Sequence, residues 1–256
     1  MKLVNVMATS LTCLVTGANR GLGFEFVQQL LARSNYKVIA TCRNPSDFTS
    51  NTSSANANLT VLPLDLLDQS SIEALPNHLQ GQTLDVVIHN AGVSSTTHPT
   101  EPIMTATREN LLKCFQCNTM GTLELTKQLL PFMEASQHKK MLFVSSKMGS
   151  MTATHIDGKA AGDWTSSVSY RVSKAALNMG VRCLAAEIGG AANSGVCFTS
   201  CHPGWVDTDM GSAGGRAPPL TPQESISHIL ENIVDVMAND THNGVFCNYD
   251  GSILPW

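Results

Sequence analysis

About seven short apolar runs recur along the chain, each separated from the next by a longer amphipathic stretch, and no other feature restricts its fold as much. The runs are Cys13–Thr16, Lys37–Thr41, Thr60–Leu64, Asp85–His89, Met141–Ser145, Val196–Ser200 and Gly244–Asn248. Runs this short and this apolar predict strands buried on both faces. Between them, Leu22, Phe26, Val27, Leu30 and Leu31 mark one face of a first helix, and Thr107–Ala135, Val168–Ile188 and Pro222–Ala238 are further predicted helices. Strands that alternate with helices are joined by right-handed crossovers into a parallel sheet covered on both sides. The expected architecture is therefore α/β: a single domain over residues 1–256, built as a doubly wound parallel sheet of about seven strands with helices on both faces. Two stretches break the rhythm. Asn44–Asn58, rich in Ser, Thr and Asn, is expected to loop out, and Ser212–Pro219 to be mobile.

Composition narrows the partners. The chain is 43% hydrophobic with a formal net charge of -4 and no block of like charges, which argues against a nucleic-acid surface. A disulfide scaffold would be shorter and more loop-rich than this chain, several of its eight cysteines sit inside apolar runs, and a reducing, cytoplasmic compartment is expected. Cys114 and Cys117 form a CxxC with no second ligand pair, so it reads as a packed helix face, and no metal site is predicted. The segment after Lys2 is apolar enough to be mistaken for a leader, but Asn5, Thr9, Ser10 and Thr12 interrupt it, and no run reaches the length of a membrane span.

The first strand leads directly into Thr16-Gly17-Ala18-Asn19-Arg20-Gly21-Leu22-Gly23 and then into the first helix. Glycines there permit a tight turn and let a pyrophosphate approach backbone N–H groups at a helix N-terminus. That context makes the fold Rossmann-type and the loop a dinucleotide site. The spacing TGxxxGxG, with further matches in order along the chain, resembles the short-chain dehydrogenase/reductase family. Those matches are Asp65 after the third strand, Asn90-Ala91-Gly92 after the fourth, Asn118 in a long helix, Ser145-Ser146-Lys147-Met148-Gly149 after the fifth, Tyr170-x-x-x-Lys174 opening a helix, and Pro203-Gly204 with Thr208 after the sixth. Ala40–Pro45, Ser145–Ser150, Gly204–Met210 and the ending Asn248–Gly251 with Trp256 are similar to the sniffer carbonyl reductases and the C-factor group.

The resemblance implies that Gly17, Asn19, Arg20, Gly21, Leu22, Gly23, Arg43, Asp65, Leu66, Asn90, Ala91, Gly92, Tyr170, Lys174, Pro203, Gly204, Val206 and Thr208 bind the cofactor, with Asp65 near the adenine and Thr208 on the nicotinamide carboxamide. A carboxylate about 20 residues beyond the glycines holds the ribose 2′-hydroxyl of NAD. Here Cys42 and Arg43 occupy that place, and no Asp or Glu occurs from Tyr36 to Ser46. A guanidinium suits a 2′-phosphate, so Arg43, with Arg20, predicts NADP(H).

Reducing a carbonyl needs a hydride, which belongs to the cofactor, and a proton with charge stabilisation at oxygen, which belongs to the protein. Lys174 lies one helical turn from Tyr170 on the same face, where an ammonium favours the phenolate. The family pattern Ser-x-x-Gly, and the alternation of a strand, select Ser146 over Ser145. By resemblance Ser146 hydrogen-bonds the substrate oxygen, Lys174 also binds the nicotinamide ribose, and Asn118 holds a relay water. Tyr170 stands 24 residues after Ser146, roughly twice the family's usual gap, so Met151–Ser167, with His155, Ile156 and Trp164, is an insertion expected to wall the substrate pocket. The resulting expectation is an NADPH-dependent carbonyl reductase of small aldehydes, ketones or quinones. The alternatives are an alcohol or steroid dehydrogenase, or a cofactor-binding signalling protein of C-factor type. A homodimer through the two long helices, and a hinged flap with a loose middle over Trp205–Pro219, are also expected.

Overall fold

The computed structural model describes residues 10–49, 56–95, 101–154 and 167–256. His155, Ile156 and Trp164, and with them most of the expected pocket wall, lie outside the described residues. In chain order the elements are β1 (Leu11–Thr16), α1 (Gly21–Ala32), β2 (Tyr36–Cys42), α2 (Pro45–Thr49), β3 (Leu59–Pro63), α3 (Gln69–His78), β4 (Val86–His89), α4 (Arg108–Phe115), α5 (Thr122–Leu129), β5 (Lys140–Val144), α6 (Val168–Glu187), β6 (Cys197–His202), α7 (Pro222–Ile229), α8 (Asn239–His242) and β7 (Val245–Asn248). All strand pairs are parallel, in the order β3-β2-β1-β4-β5-β6-β7. The predicted strands agree with these to within two residues at either end.

Alternation along each strand supplies two cores. Cys13, Val15, Val38, Ala40, Leu142 and Val144 face α1 and α7, where Phe26, Leu30, Ile226 and Ile229 are buried. Leu14, Ile39, Val87, Met141 and Phe143 face the other side, against Leu75, Leu125, Leu129, Leu177 and Val181. Side chains at successive positions on a strand point to opposite faces, so every buried strand serves both layers.

Three sequence expectations need correction. The stretch Thr107–Ala135 is helical from Arg108 to Met133 but is not one regular helix: a π turn at Gln116–Gly121 separates α4 from α5, and a 3₁₀ turn at Leu130–Met133 ends it. Side-chain bonds support the wider turn, since Thr122 Oγ1 donates to Cys117 O at 3.3 Å and Thr119 Oγ1 to Ser173 O at 2.8 Å. Likewise Pro222–Ala238 becomes α7, opened by a Thr221–Glu224 capping box, followed by a π turn at Leu230–Val234. Asn44–Asn58 does not simply loop out, because Pro45 starts the short helix α2 and buries Phe48 against Phe24, ring centroids 5.7 Å apart. The rest of that stretch, residues 50–55, lies outside the described residues.

Two helix glycines face different neighbours. A Cβ on Gly121 would stand 2.2 Å from the backbone oxygen of Leu66, whereas on Gly180 it would meet the end of the Leu123 side chain at 2.8 Å. Backbone cannot yield as a Leu rotamer can. Gly121→Ala is therefore expected to cost roughly 1–3 kcal/mol. Gly180→Ala should stay within about 1 kcal/mol of wild type, because helix propensity offsets the crowding. Urea denaturation of the two variants checks this, and equal losses would contradict it.

Candidate active site

The sheet reverses its winding between β1 and β4, and an open α/β sheet leaves a crevice at that point beyond the carboxyl ends of its strands. The loop after β1 and the loop after β4 meet there. Thr16 Oγ1 accepts from the amides of Asn90 and Ala91, both at 3.0 Å. In return Asn90 Nδ2 donates to Thr16 O at 2.9 Å and Gly17 O at 3.1 Å. Gly17 has a φ of 63°, and a Cβ on it would lie 2.8 Å from Ala91 Cα. On Gly23 it would collide with Gly17 O at 2.1 Å. The N-terminus of α1 has no side-chain cap and no acidic residue in its first turn. A tight backbone cradle at a helix start free of negative charge fits a pyrophosphate.

Further proposed cofactor residues lie on the segments that follow β2, β3 and β6, at the same carboxyl edge of the sheet. Arg43 is exposed just past the end of β2, and Asp65 Oδ1 accepts from Leu67 N at 2.9 Å to turn the chain after β3. Leu66 is buried, with its carbonyl against Gly121. Arg20 pairs with Asp209 on the surface, which links the glycine loop to the segment after β6. In that segment Pro203 O accepts from Ser225 Oγ at 2.6 Å, Val206 is buried and bridged to Leu220, and Thr208 Oγ1 accepts from Gly211 N at 3.1 Å.

The loose middle expected of Trp205–Pro219 is corrected by its contacts. Trp205 Nε1 donates to Gly211 O at 3.1 Å, Arg216 to Ala213 O at 2.9 Å and Met210 O at 3.0 Å, and Ser212 Oγ to Asp207. A Cβ on Gly211 would fall 1.9 Å from Val206 O. Side chains from within the segment satisfy its carbonyls, an effect that glycine content cannot reveal.

One face of α6 holds the predicted catalytic residues Tyr170 and Lys174. Ser173, Lys174, Leu177, Asn178 and Val181 are buried along it, and Tyr170 is half-buried at its first turn. Lys174 Nζ lies 5.7 Å from the centroid of the Tyr170 ring and donates to Val144 O at 2.8 Å. Ser146, beyond the end of β5, is near enough to the Tyr170 phenol to draw its pKa down, and its Oγ accepts from Met148 N at 3.1 Å. Ser145 turns away and donates to Asn178 at 2.6 Å. Asn118, in the π turn, accepts from Val93 N at 2.7 Å and donates to Val93 O at 2.8 Å and Ser173 Oγ at 2.9 Å. Its side chain thus clamps the loop after Gly92 to α6. A π turn also displaces backbone carbonyls from the regular ladder, a feature common at functional sites.

Desolvation governs both titrating groups. It raises the Tyr170 phenol to about 12, against a smaller pull downward from the Ser146 hydrogen bond. It lowers Lys174 to about 8, against the nearby thiols of Cys117, Cys114 and Cys201. In this arrangement burial outweighs any influence of the ammonium on the phenol.

Sequence reasoning missed several residues of the site. Ser173 could have been suspected from its position between Tyr170 and Lys174 on the helix. Val93 acts through its backbone, and Glu101 is a lone acid in a polar loop, so neither leaves a pattern. Chain beyond β7 is a further omission: Pro255 O accepts from Ser150 Oγ at 2.7 Å and Trp256 O from Thr152 N at 3.0 Å, holding the segment that follows Ser146.

The family model for short chain dehydrogenase matches residues 11–217. The structure is similar to an NADPH-bound carbonyl reductase from chicken fatty liver, with a TM-score of 0.83, 31% identity, and coverage of 97% of this chain and 95% of that one. It is similar also to carbonyl reductase Sniffer of D. melanogaster, with a TM-score of 0.80, 28% identity, and coverage of 97% and 100%. Among curated sequences, the C-signal of Myxococcus xanthus is 32% identical over 173 residues, 68% of this chain and 93% of its own length.

Lys174 is only 3% exposed, and the sign of its linkage to folding follows from its pKa. Between about 8 and 10.5 the unfolded chain holds a proton that the folded chain has released, so this group's contribution to stability rises with pH there. Below that window its burial is most unfavourable, on the order of 3 kcal/mol. Buried thiols, raised by the same desolvation, act oppositely above the ordinary thiol pKa, and those outside the reach of Lys174, such as Cys197, cancel in a comparison with Lys174→Met. The stability advantage of Lys174→Met over wild type should therefore shrink by roughly 2–3 kcal/mol from pH 7 to pH 10. A gap that does not change with pH, measured by urea denaturation, would contradict this.

Proposed function

This chain belongs to the short-chain dehydrogenase family, and from that premise we propose that it is an NADPH-dependent carbonyl reductase of small, largely apolar aldehydes, ketones or quinones. The observation that carries the reading is the grouping of Ser146, Tyr170 and Lys174 beside the cradle at the switch point. Preference for NADPH is supported by Arg43 just beyond β2, where an NAD enzyme needs a carboxylate. Similarity to a carbonyl reductase with NADPH bound fits the same choice.

Gly17, Gly21, Gly23 and the amides opening α1 would hold the pyrophosphate, Arg43 and Arg20 the 2′-phosphate, Asp65 and Leu66 the adenine side, and Lys174 and Thr208 the nicotinamide side. When bound, the reduced nicotinamide supplies the hydride. Ser146 hydrogen-bonds the carbonyl oxygen and orients it. Tyr170 donates its proton to that oxygen as negative charge develops. A phenol raised to about 12 is fully protonated at neutral pH, the form a reductase needs. Lys174 places a positive charge behind it, which eases the phenol's loss of a proton. Asn118 keeps the loop after β4 and α6 in register. Cytoplasmic action fits eight unpaired cysteines.

Oxidation of NADPH with a panel of quinones, α-dicarbonyls and aldehydes tests the function. Wild type should turn over at least one class, with NADPH favoured over NADH, while Tyr170→Phe should lose turnover by 100-fold or more, on the order seen for removal of an acid–base group, and still bind NADPH. Unchanged turnover in Tyr170→Phe would sink the mechanism. A signalling protein that only binds the cofactor, the reading that similarity to C-signal favours, would show no turnover in either form.

We further propose a homodimer. Leu112, Phe115 and Met120 on α4 and its π turn, and Val172 and Met179 seven residues apart on α6, leave apolar side chains exposed on neighbouring helices. A two-fold contact would cover both sets at once. Light scattering at micromolar concentration should return twice the chain mass of 27.4 kDa; a monomer mass would overturn the assembly.

A further inference from the structure

The helix that carries Tyr170 lacks a cap of its own. Ser167, which precedes it, sits at a φ of 64° and offers no side-chain bond to the first turn. The opening amides of a helix have no partner within it and must find one elsewhere. Both of the first two are met by one residue 67 or 68 positions away. Val168 N donates to Glu101 O at 3.0 Å, and Ser169 N to Glu101 Oε2 at 3.0 Å. The other carboxylate oxygen accepts from Asn110 Nδ2 on α4 at 2.8 Å. Glu101 is 3% exposed.

A carboxylate that leaves water at such a cost is kept only where its partners are fixed. Here the helix N-terminus and three hydrogen-bond donors supply them. Burial pushes the Glu101 carboxyl up, but bonds from Ser169, Asn110 and Ser95 outweigh it and hold the group below the usual carboxylate range. Each carboxylate oxygen of Glu101 serves a different helix: α4 leads into the π turn that holds Asn118, and α6 carries Tyr170.

We infer that Glu101 is a positioning residue, which caps α6 from outside the helix and sets where the Tyr170 phenol stands. The inference rests on the proposed role of Tyr170 as proton donor. Tyr170 follows Ser169 directly, within the first turn, the part of a helix that frays when its amides are unpaired. Lys174 lies one turn deeper. It is held independently by Val144 O, and by Gly149, where a Cβ would lie 2.7 Å from the Lys174 backbone. Loss of Glu101 should thus release the tyrosine and spare the lysine. Turnover and cofactor binding then separate, as a general loss of structure would not allow.

Four variants test this: Glu101→Ala, and a cycle of Glu101→Gln, Asn110→Asp and the double variant that combines them. In Glu101→Ala, kcat should fall by roughly 10- to 100-fold, the scale of an ångström of misplacement, while the NADPH Kd from fluorescence titration stays within about threefold. Glu101→Gln retains one acceptor for Ser169 but turns an amide toward the Asn110 donor. Asp at 110 accepts from that amide, so the double variant should exceed both single variants in kcat, a non-additive recovery. Parallel loss of kcat and NADPH affinity, or no recovery in the double variant, would overturn the inference. Amide exchange is measured without substrate and separates the two readings. Exchange at Ser169 and Tyr170 should quicken in Glu101→Ala, with that at Leu177–Val181 unchanged. A wild-type enzyme inert toward every carbonyl would sink the proposed function and leave the cap standing, whereas unchanged exchange at Ser169 and Tyr170 would sink the cap alone.

Discussion

A single threonine hydroxyl seals the junction on which the carboxyl edge of the sheet is built. Thr16 Oγ1 takes the amides of Asn90 and Ala91 at 3.0 Å each, so the loops after β1 and β4 cannot part without exposing two donors. With that seam closed, Gly17 is pressed on Ala91 and Gly23 on Gly17, and the start of α1 is left facing the crevice. Gly92 continues from the same seam to within reach of Asn118, and Asn118 reaches Ser173 on α6. The glycine cradle and the proposed reacting groups are therefore consecutive parts of one chain of contacts, not two clusters that happen to be close.

Desolvation runs through the chemistry of this region. It pushes Tyr170 up and Lys174 down, toward the uncharged form in each case. The lysine bears most of that cost, since among the described residues its company is a backbone carbonyl, the face of the Tyr170 ring and nearby thiols, with no carboxylate acting on it. A buried ammonium with so little compensation is a sign of function retained against stability. Glu101 is the counter-example in the same region, a buried charge whose partners outweigh its desolvation.

Much of the fold could be read directly. The seven strands were visible because a strand buried on both faces has to be a continuous apolar run, and α1 and α6 because their apolar residues repeat at helical spacing. The two π turns were invisible, because a sequence that suits an α-helix also suits a π turn, and at Gln116–Gly121 it is contacts with Leu66 and Ser173 that favour the wider form. Gly121 illustrates the difficulty: its φ is an ordinary helical -59°, and nothing but the carbonyl of Leu66 explains why it lacks a side chain. The segment after β6 misled for a related reason, its glycines suggesting freedom while Trp205, Ser212 and Arg216 bind it to itself.

The sequence by itself determined the parallel α/β architecture, the glycine cradle after β1 and the pairing of Tyr170 with Lys174, because each depends on local sterics or on spacing along one element. Tertiary structure alone decided that Asn118 clamps Val93 to α6, and that Glu101 caps the helix bearing Tyr170. Those choices turn on which distant backbone groups come within hydrogen-bond distance of each other. Such an approach leaves no period and no motif in the chain, since one acceptor at the right place in space can stand anywhere in sequence.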